Sequence, residues 1–120
     1  MNLWNNPAGV FDFQHSLFTA RAKAAAYETG AYFVDHEAAA AALQKVLGEA
    51  GTRLNWIGDN IHLTDRGSIN VAGAYARAVI CADAPLMLHI KTDRSKLPRY
   101  CSPDQVPAQT SRAGKRARFY

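Results

Sequence analysis

One short stretch, AYFVD at residues 31–35, limits the folds open to this chain more than any other part of the sequence. It follows a glycine, it is apolar, and it is rich in aromatic and β-branched residues, which is typical of a buried strand. The segments on either side have the composition of helices. A buried strand needs neighbouring strands with which to pair its backbone. We therefore expect the end of an α/β domain whose other strands are not among these residues.

Three segments are predicted to be helical, namely residues 13–29, 36–48 and 65–82. Asp12 is expected to cap the start of the first helix, and Gly30 is expected to end it in a left-handed conformation. Gly48 is expected to close the second helix. Residues 49–63 then form a connection, and Thr64 is a favoured residue for the N-cap of the third helix.

The side chains available for a core are small. Hydrophobic residues make up 48% of the chain, but 22 of its 120 residues are Ala, which carries little apolar surface. Apolar residues at three- and four-residue spacing predict which helix faces point inward. These residues are Leu17, Ala20, Ala24 and Tyr27 on the first helix, Ala39, Leu43 and Val46 on the second, and Ile69, Ala72, Ala76 and Val79 on the third.

Positive charge is concentrated at the C-terminal end. The chain carries a net charge of +4, and residues 91–120 hold eight Lys or Arg against two Asp. Residues 102–120 are rich in Pro, Ser and charge, so we expect a poorly ordered basic tail. The sequence GKRAR at 114–118 allows an alternative function, a non-catalytic binding module whose tail contacts a polyanion. Nucleic acid is not the expected partner, because no aromatic interleaving or nucleic-acid-binding signature accompanies the charge.

Several classes of protein are not indicated. No stretch approaches the roughly 18 unbroken apolar residues of a transmembrane helix, so no membrane partner is expected. The first residues lack the basic start and apolar run of a signal peptide. Cys81 and Cys101 do not form a CxxC or Cys/His zinc pattern, and their spacing alone leaves open whether they are bonded. Nothing in the sequence indicates an oligomeric state.

The segment GDNIHLTDRG, residues 58–67, contains the strongest candidate site. Asp59 and His62 lie three residues apart in a polar turn before a predicted helix. In such a turn the carboxylate can accept the Nδ1 proton of the imidazole, which fixes the tautomer and leaves Nε2 free to act as a base. The pattern by itself also fits an ordinary Asp–His pair on a protein surface.

The segments FVDHEAAAAALQKVLG and GDNIHLTDRGSINVAGAYARAVICADAPL resemble the C-terminal part of an SGNH (GDSL-type) hydrolase. Asp-x-x-His-Leu-Thr-x-x-Gly resembles the last conserved block of that family, and the resemblance is greatest to fungal rhamnogalacturonan acetylesterases. It covers about residues 4–101. It implies a three-layer α/β/α sandwich, mostly helical in this portion with one or two short strands.

The resemblance also implies a function. Asp59 and His62 would complete a Ser-His-Asp triad that removes acetyl groups from pectic polysaccharide, with no metal or organic cofactor. Cys81 and Cys101 would form the disulfide that closes the C-terminus in those secreted esterases, which implies an extracellular location.

The sequence departs from the family in its nucleophile. It contains no Gly-Asp-Ser block, no oxyanion-hole glycine and no Gly-x-Asn-Asp block. We therefore expect residues 1–101 to be the C-terminal part of an SGNH domain, followed by the tail at 102–120. Such a fragment would carry the Asp–His half of the triad and have essentially no esterase activity alone.

A second Asp–His pair, Asp35–His36, lies at the end of the predicted strand. Its position before a helix favours a capping role. The resemblance places this segment near the site, which leaves open a role for His36 on the substrate side.

Overall fold

The computed structural model describes residues 11, 15–59, 61–99 and 101. These residues form three α-helices, followed by two short 3-10 helices at Pro85–His89 and Arg94–Lys96. The α-helices are α1 (Leu17–Thr29), α2 (His36–Arg53) and α3 (Asp65–Cys81). The prediction that the chain is mostly helical is confirmed. In the part of the chain that the structure describes there is no sheet, only one isolated antiparallel bridge between Trp56 and Leu63.

The predicted strand at residues 31–35 is wrong. The segment is an irregular connection between α1 and α2. Tyr32 and Val34 are partly buried against the buried residues of α3 and the turn that follows it. Their apolar character therefore reflects packing on a helix, and no second strand lies among the described residues to pair with them.

Helix α1 begins later than expected. Its N-cap is Ser16, whose side-chain oxygen accepts a hydrogen bond from the Phe18 N–H at 3.2 Å. The expected cap, Asp12, lies outside the described residues. The C-terminal end agrees with the prediction, because Gly30 is left-handed with φ of 71° and its N–H reaches the Tyr27 carbonyl. No residue of α1 is buried. The predicted inward stripe of this helix is therefore wrong, and Leu17 and Tyr27 are 78% and 59% exposed.

Helix α2 changes direction at Gly48. That residue has φ of 67° and ψ of −178°, outside the helical region. An L-amino acid with a side chain rarely adopts a positive φ, so glycine is well suited to this position. Gly48 closes the first part of α2 as predicted, but a second helical segment continues to Arg53 where a plain connection was expected.

The core lies between α2 and α3. Ala39 of α2 meets Ala74 and Ala78 of α3, and all three are at most 4% exposed. A second cluster contains Val79, Ala82 and Ala84. Small side chains at these contacts let the two helices approach closely, so the many alanines are used where the helices meet.

The predicted inward faces are only partly right. Ala39 and Val79 are buried, and Leu43 packs against the core. Val46 and Ile69 are 85% and 73% exposed. The buried face of α3 is rotated away from the predicted stripe and consists of Gly67, Ala74, Ala78, Val79 and Cys81.

The segment after α3 folds back onto that helix. The Arg77 guanidinium donates hydrogen bonds to the carbonyls of Pro98 and Arg94, and Leu97 is 6% exposed. Cys81 and Cys101 form a disulfide with Cα atoms 5.3 Å apart. The tail at 102–120 lies outside the described residues, and none of the described helices is long and apolar enough to cross a bilayer.

Candidate functional site: an Asp–His pair on a pinned loop

Asp59 and His62 contact each other at the surface of the loop that precedes α3. Nδ1 of His62 lies 2.5 Å from Oδ2 of Asp59. The side chains are 70% and 42% exposed for His62 and Asp59 respectively. An ionised carboxylate can only accept hydrogen bonds, so in the neutral form of the ring Nδ1 carries the proton and Nε2 presents its lone pair. Among the residues that the structure describes, no group is hydrogen-bonded to Nε2 of His62, which leaves that atom open to solvent or substrate.

The other carboxylate oxygen of Asp59 organises the turn itself. Oδ1 accepts hydrogen bonds from the backbone N–H groups of Ile61 and His62, each at 2.9 Å. One carboxylate therefore fixes both the backbone that carries His62 and the orientation of its ring. The hydrogen bond from the His62 ring, followed by those two N–H groups, holds the pKa of Asp59 well below its ordinary value of 3.8. Asp59 is consequently ionised throughout the neutral range.

The loop is closed at its base by backbone hydrogen bonds. The N–H of Ile57 donates to the His62 carbonyl at 3.1 Å. The N–H of Thr64 donates to the Asn55 carbonyl at 2.9 Å. Together with the bridge between Trp56 and Leu63, these bonds join the segment 55–57 to the segment 62–64 and close the base of the loop that carries the Asp–His pair.

Thr64 joins this loop to α3. Its Oγ1 accepts the N–H of Gly67 at 3.0 Å, which caps the helix as the sequence predicts. The same hydroxyl donates to the Leu54 carbonyl at 2.8 Å. One side chain therefore satisfies an N–H group at the start of the helix and a carbonyl at the end of the preceding segment.

Two asparagines, which the sequence analysis did not single out, also attach the loop to α3. Asn55 is 3% exposed, and its Oδ1 accepts a hydrogen bond from Nδ2 of Asn70 at 2.8 Å. Gly67 packs so closely on Asn55 that a Cβ atom at position 67 would overlap the Asn55 carbonyl. The sequence does contain an indication that Asn70 has a specific contact, because Asn is a weak helix former and this one lies inside a predicted helix.

No serine among those described (Ser16, Ser68 and Ser95) is hydrogen-bonded to His62. Ser16 caps α1, and the Ser95 hydroxyl donates to Asp93 at 2.8 Å. The pair can thus orient a base and stabilise an imidazolium, but the described residues place no hydroxyl next to it. They also contain no group of three or more His, Cys, Asp or Glu side chains arranged to hold a metal ion.

The second Asp–His pair behaves differently. Asp35 caps α2, because its Oδ1 accepts the Ala38 N–H at 2.9 Å. The His36 ring meets Tyr75 edge-on at 5.5 Å between centroids. Burial lowers the pKa of His36, against the opposing effect of a hydrogen bond with the Val71 backbone. The two adjacent residues thus have packing and capping contacts, and no carboxylate in the described part of the chain orients the His36 ring as Asp59 orients that of His62.

A cavity of about 380 Å³ lies beside His36, between the start of α1 and the start of α2. Its apolar lining includes Phe18 and Phe33. The Glu37 carboxylate in its wall is already occupied, since it accepts hydrogen bonds from the Ser16 N–H at 3.0 Å and from the Thr19 hydroxyl. Asp59 and His62 do not line this cavity.

Comparison with known proteins gives a distant relation. No protein-family model matches the chain, and no solved structure matches it. It is similar to the rhamnogalacturonan acetylesterase of Emericella nidulans, with 33% identity over 84 residues. The matched region is 68% of this chain and 34% of that protein, so the chain spans about a third of the length of the curated relative it matches. The similarity supports a distant relation between this chain and a rhamnogalacturonan acetylesterase.

Proposed function

We propose that this chain supplies the Asp–His half of an ester-hydrolysing site of the SGNH type. The observation that carries the proposal is the 2.5 Å contact between Asp59 Oδ2 and His62 Nδ1, in a loop that leaves Nε2 exposed. A hydrogen-bonded carboxylate that orients an accessible imidazole is the arrangement a general base requires. The distant relation to an acetylesterase supports the choice of ester hydrolysis over other base-catalysed reactions.

In the proposed reaction the nucleophile is a serine hydroxyl that comes from outside these 120 residues. Nε2 of His62 removes the hydroxyl proton as the serine oxygen attacks the acetyl carbonyl. Asp59 stabilises the resulting imidazolium through Nδ1. His62 then gives the proton to the departing sugar oxygen, and in the second half of the cycle it activates the water that releases acetate.

The proposed substrate is an acetylated pectic polysaccharide, in line with the name of the relative. The proposal includes a three-layer α/β/α domain in which residues 1–101 form a mainly helical C-terminal part. It also includes an extracellular location. The Cys81–Cys101 disulfide supports that location, because disulfides persist mainly in oxidising compartments.

A chimera tests the catalytic role directly. Residues 4–101, which carry the resemblance, would replace the corresponding C-terminal part of the Emericella nidulans acetylesterase, and acetate release would be measured on acetylated rhamnogalacturonan and on an aryl acetate. We expect an active chimera in which His62→Ala lowers kcat by about 10⁶-fold and Asp59→Asn by about 10⁴-fold, the scale of such losses in serine hydrolase triads. The matched controls His89→Ala and Asp93→Asn, which change the same residue types elsewhere, should leave kcat unchanged.

The isolated chain provides the complementary measurement. We expect it to hydrolyse an aryl acetate no faster than free imidazole at the same concentration. A folded, active chimera that tolerates His62→Ala would reject the catalytic role. An inactive chimera, combined with salt-sensitive binding of the isolated chain to a polyanion that disappears on deletion of residues 112–120, would favour a binding module.

A further inference from the structure

The position of the Asp–His pair relative to α3 depends on the base of its loop. Asp59 and His62 are exposed, and among the described residues their side chains form hydrogen bonds only with each other and with the backbone of Ile61 and His62. The loop meets the helix instead through Asn55, whose carbonyl accepts the Thr64 N–H at 2.9 Å. Any group that holds Asn55 in place therefore holds the residues that carry the pair.

Asn55 is held from several directions. Its side chain accepts the Asn70 amide at 2.8 Å, its carbonyl lies against Gly67, and its N–H donates to the Thr52 carbonyl at 3.0 Å. Thr52 is itself fully buried, and its hydroxyl donates to the Gln44 carbonyl of α2 at 3.2 Å. The base of the loop thus connects α2 to α3 through a continuous set of buried and partly buried hydrogen bonds.

The contact with Asn70 is the one contact of Asn55 described above that depends on the identity of its side chain. The backbone bonds of Asn55 could form with many residues at position 55, but the 2.8 Å bond needs an amide at position 55 and a polar partner on the second turn of α3. A buried amide without a partner is strongly unfavourable. Removing the Asn70 amide therefore favours movement of Asn55 toward water, and that movement opens the loop.

We propose that Asn55 and Asn70 are positioning residues that fix the Asp59–His62 loop on α3 and so keep the His62 ring in its oriented state. They act through the loop and do not touch the reacting atoms. The catalytic meaning of this role rests on the proposed function, whereas the structural coupling between Asn70 and His62 does not.

The test uses the full chain and NMR of the His62 ring. Asn70→Leu keeps the branching of the side chain at Cγ, with a larger volume, and removes its hydrogen bonding. We expect the Nδ1–H signal of His62 to weaken or disappear and the Thr64 N–H to exchange about ten- to a hundredfold faster relative to the core N–H of Ala78. Asn70→Asp should retain both signatures, because the Asn55 amide can turn over and donate to the new carboxylate.

Ser16→Ala is the matched control. It removes the N-cap of α1, which should lower the free energy of unfolding by an amount comparable to that for Asn70→Leu. It should leave the His62 signal and the Thr64 exchange ratio unchanged. If Asn70→Leu fails to fold, Asn70→Ser takes its place, since its shorter side chain cannot span the distance to Asn55. An unchanged His62 signal in the folded Leu or Ser variant, or loss of that signal in a folded Asn70→Asp variant, would overturn the proposal.

The chimera separates this inference from the proposed function. If both hold, Asn70→Leu in the chimera lowers kcat with little change in KM, and Asn70→Asp restores kcat. If the chimera is inactive while the NMR signatures respond as expected, the positioning role stands and the esterase assignment fails.

Discussion

The Asp59 carboxylate makes three hydrogen bonds, and each of its oxygens has a separate task. Oδ1 accepts two backbone N–H groups and shapes the turn, and Oδ2 holds the His62 ring. An amide at position 59 could keep the first task but would place either a donor or a neutral acceptor beside Nδ1. The carboxylate is thus suited both to local structure and to orientation of a base.

The first prediction concerns the pKa of Asp59. The His62 ring is the largest cause of its lowering, and the N–H groups of residues 61 and 62 come next. In His62→Ala the pKa of Asp59 should therefore rise toward 3.8 and remain below it, because the backbone bonds persist. A pH titration of the carboxyl carbon by NMR measures this change, and an identical pKa in the two proteins would contradict the hydrogen-bonded pair.

The lowered pKa of Asp59 also determines how the stability of the protein changes with pH. A carboxyl whose folded-state pKa is depressed contributes stability that is present above its unfolded value and is lost as the pH falls toward the folded value. Wild-type protein should therefore lose stability below about pH 3.8 more steeply than Asp59→Asn does. Urea unfolding over that range tests the difference, and equal pH dependence in the two proteins would contradict it.

At the scale of elements, helix ends were more predictable from sequence than helix faces. Thr64 begins α3 and Gly30 ends α1 as expected, because capping depends on the residue itself and on its nearest neighbours. The inward face of α3 depends on what α2 and the following turn present to it, and a row of alanines gives a weak periodic signal. Ile69 was therefore expected to face inward and is 73% exposed.

The close contact between Gly67 and Asn55 gives the second prediction. A Cβ at position 67 would overlap the Asn55 carbonyl, and backbone cannot move aside as a side-chain tip can. Gly67→Ala should destabilise the protein by about 1–3 kcal/mol or more. Gly73→Ala on the same helix has room, with Pro98 Cδ at 3.6 Å, and should be neutral or stabilising because Ala favours helix.

Urea denaturation of the two glycine variants provides the measurement. The His62 Nδ1–H signal of Gly67→Ala should also weaken, since the loop base is displaced. Equal stability of Gly67→Ala and Gly73→Ala would show that the loop does not pack on α3 as the structure has it.

At the scale of the whole molecule, the C-terminal segment is held to α3 by a covalent link as well as by packing. The Cys81–Cys101 disulfide encloses 20 positions of sequence, beside the Arg77 hydrogen bonds and the buried Leu97. In a molecule whose core is built largely from alanine, a constraint on the unfolded chain is a large share of the net stability.

The third prediction follows from that link. Reduction of the disulfide, or its replacement in Cys81→Ser/Cys101→Ser, should lower the free energy of unfolding by about 3 kcal/mol in the chain-entropy model. The double variant should be insensitive to reductant, and the His62 NMR signal should persist in whatever fraction stays folded. Stability that is unaffected by reductant would contradict a constraining bond between these cysteines.

The helical content and the Asp59–His62 contact could be predicted from the sequence, whereas the predicted strand at 31–35 is wrong. A contact between residues three apart is set by local turn geometry, so its signal lies within a few residues. The environment of residues 31–35 depends on segments distant in sequence, and the described residues supply a helix there rather than a sheet. The Asn55–Asn70 bond joins positions 15 apart across a loop, which no periodicity reveals.

Helix α1 differs from the other two helices in how it is attached. It buries no side chain, and its first turn is tied to α2 through the 7%-exposed carboxylate of Glu37, which accepts the Ser16 N–H and the Thr19 hydroxyl. A helix without a buried face gains little from tertiary packing, and thirteen residues are too few for lasting helicity in water by themselves. Fraying of this molecule should therefore start at α1 and stop at Gly30, leaving the α2–α3 pair and its loop intact.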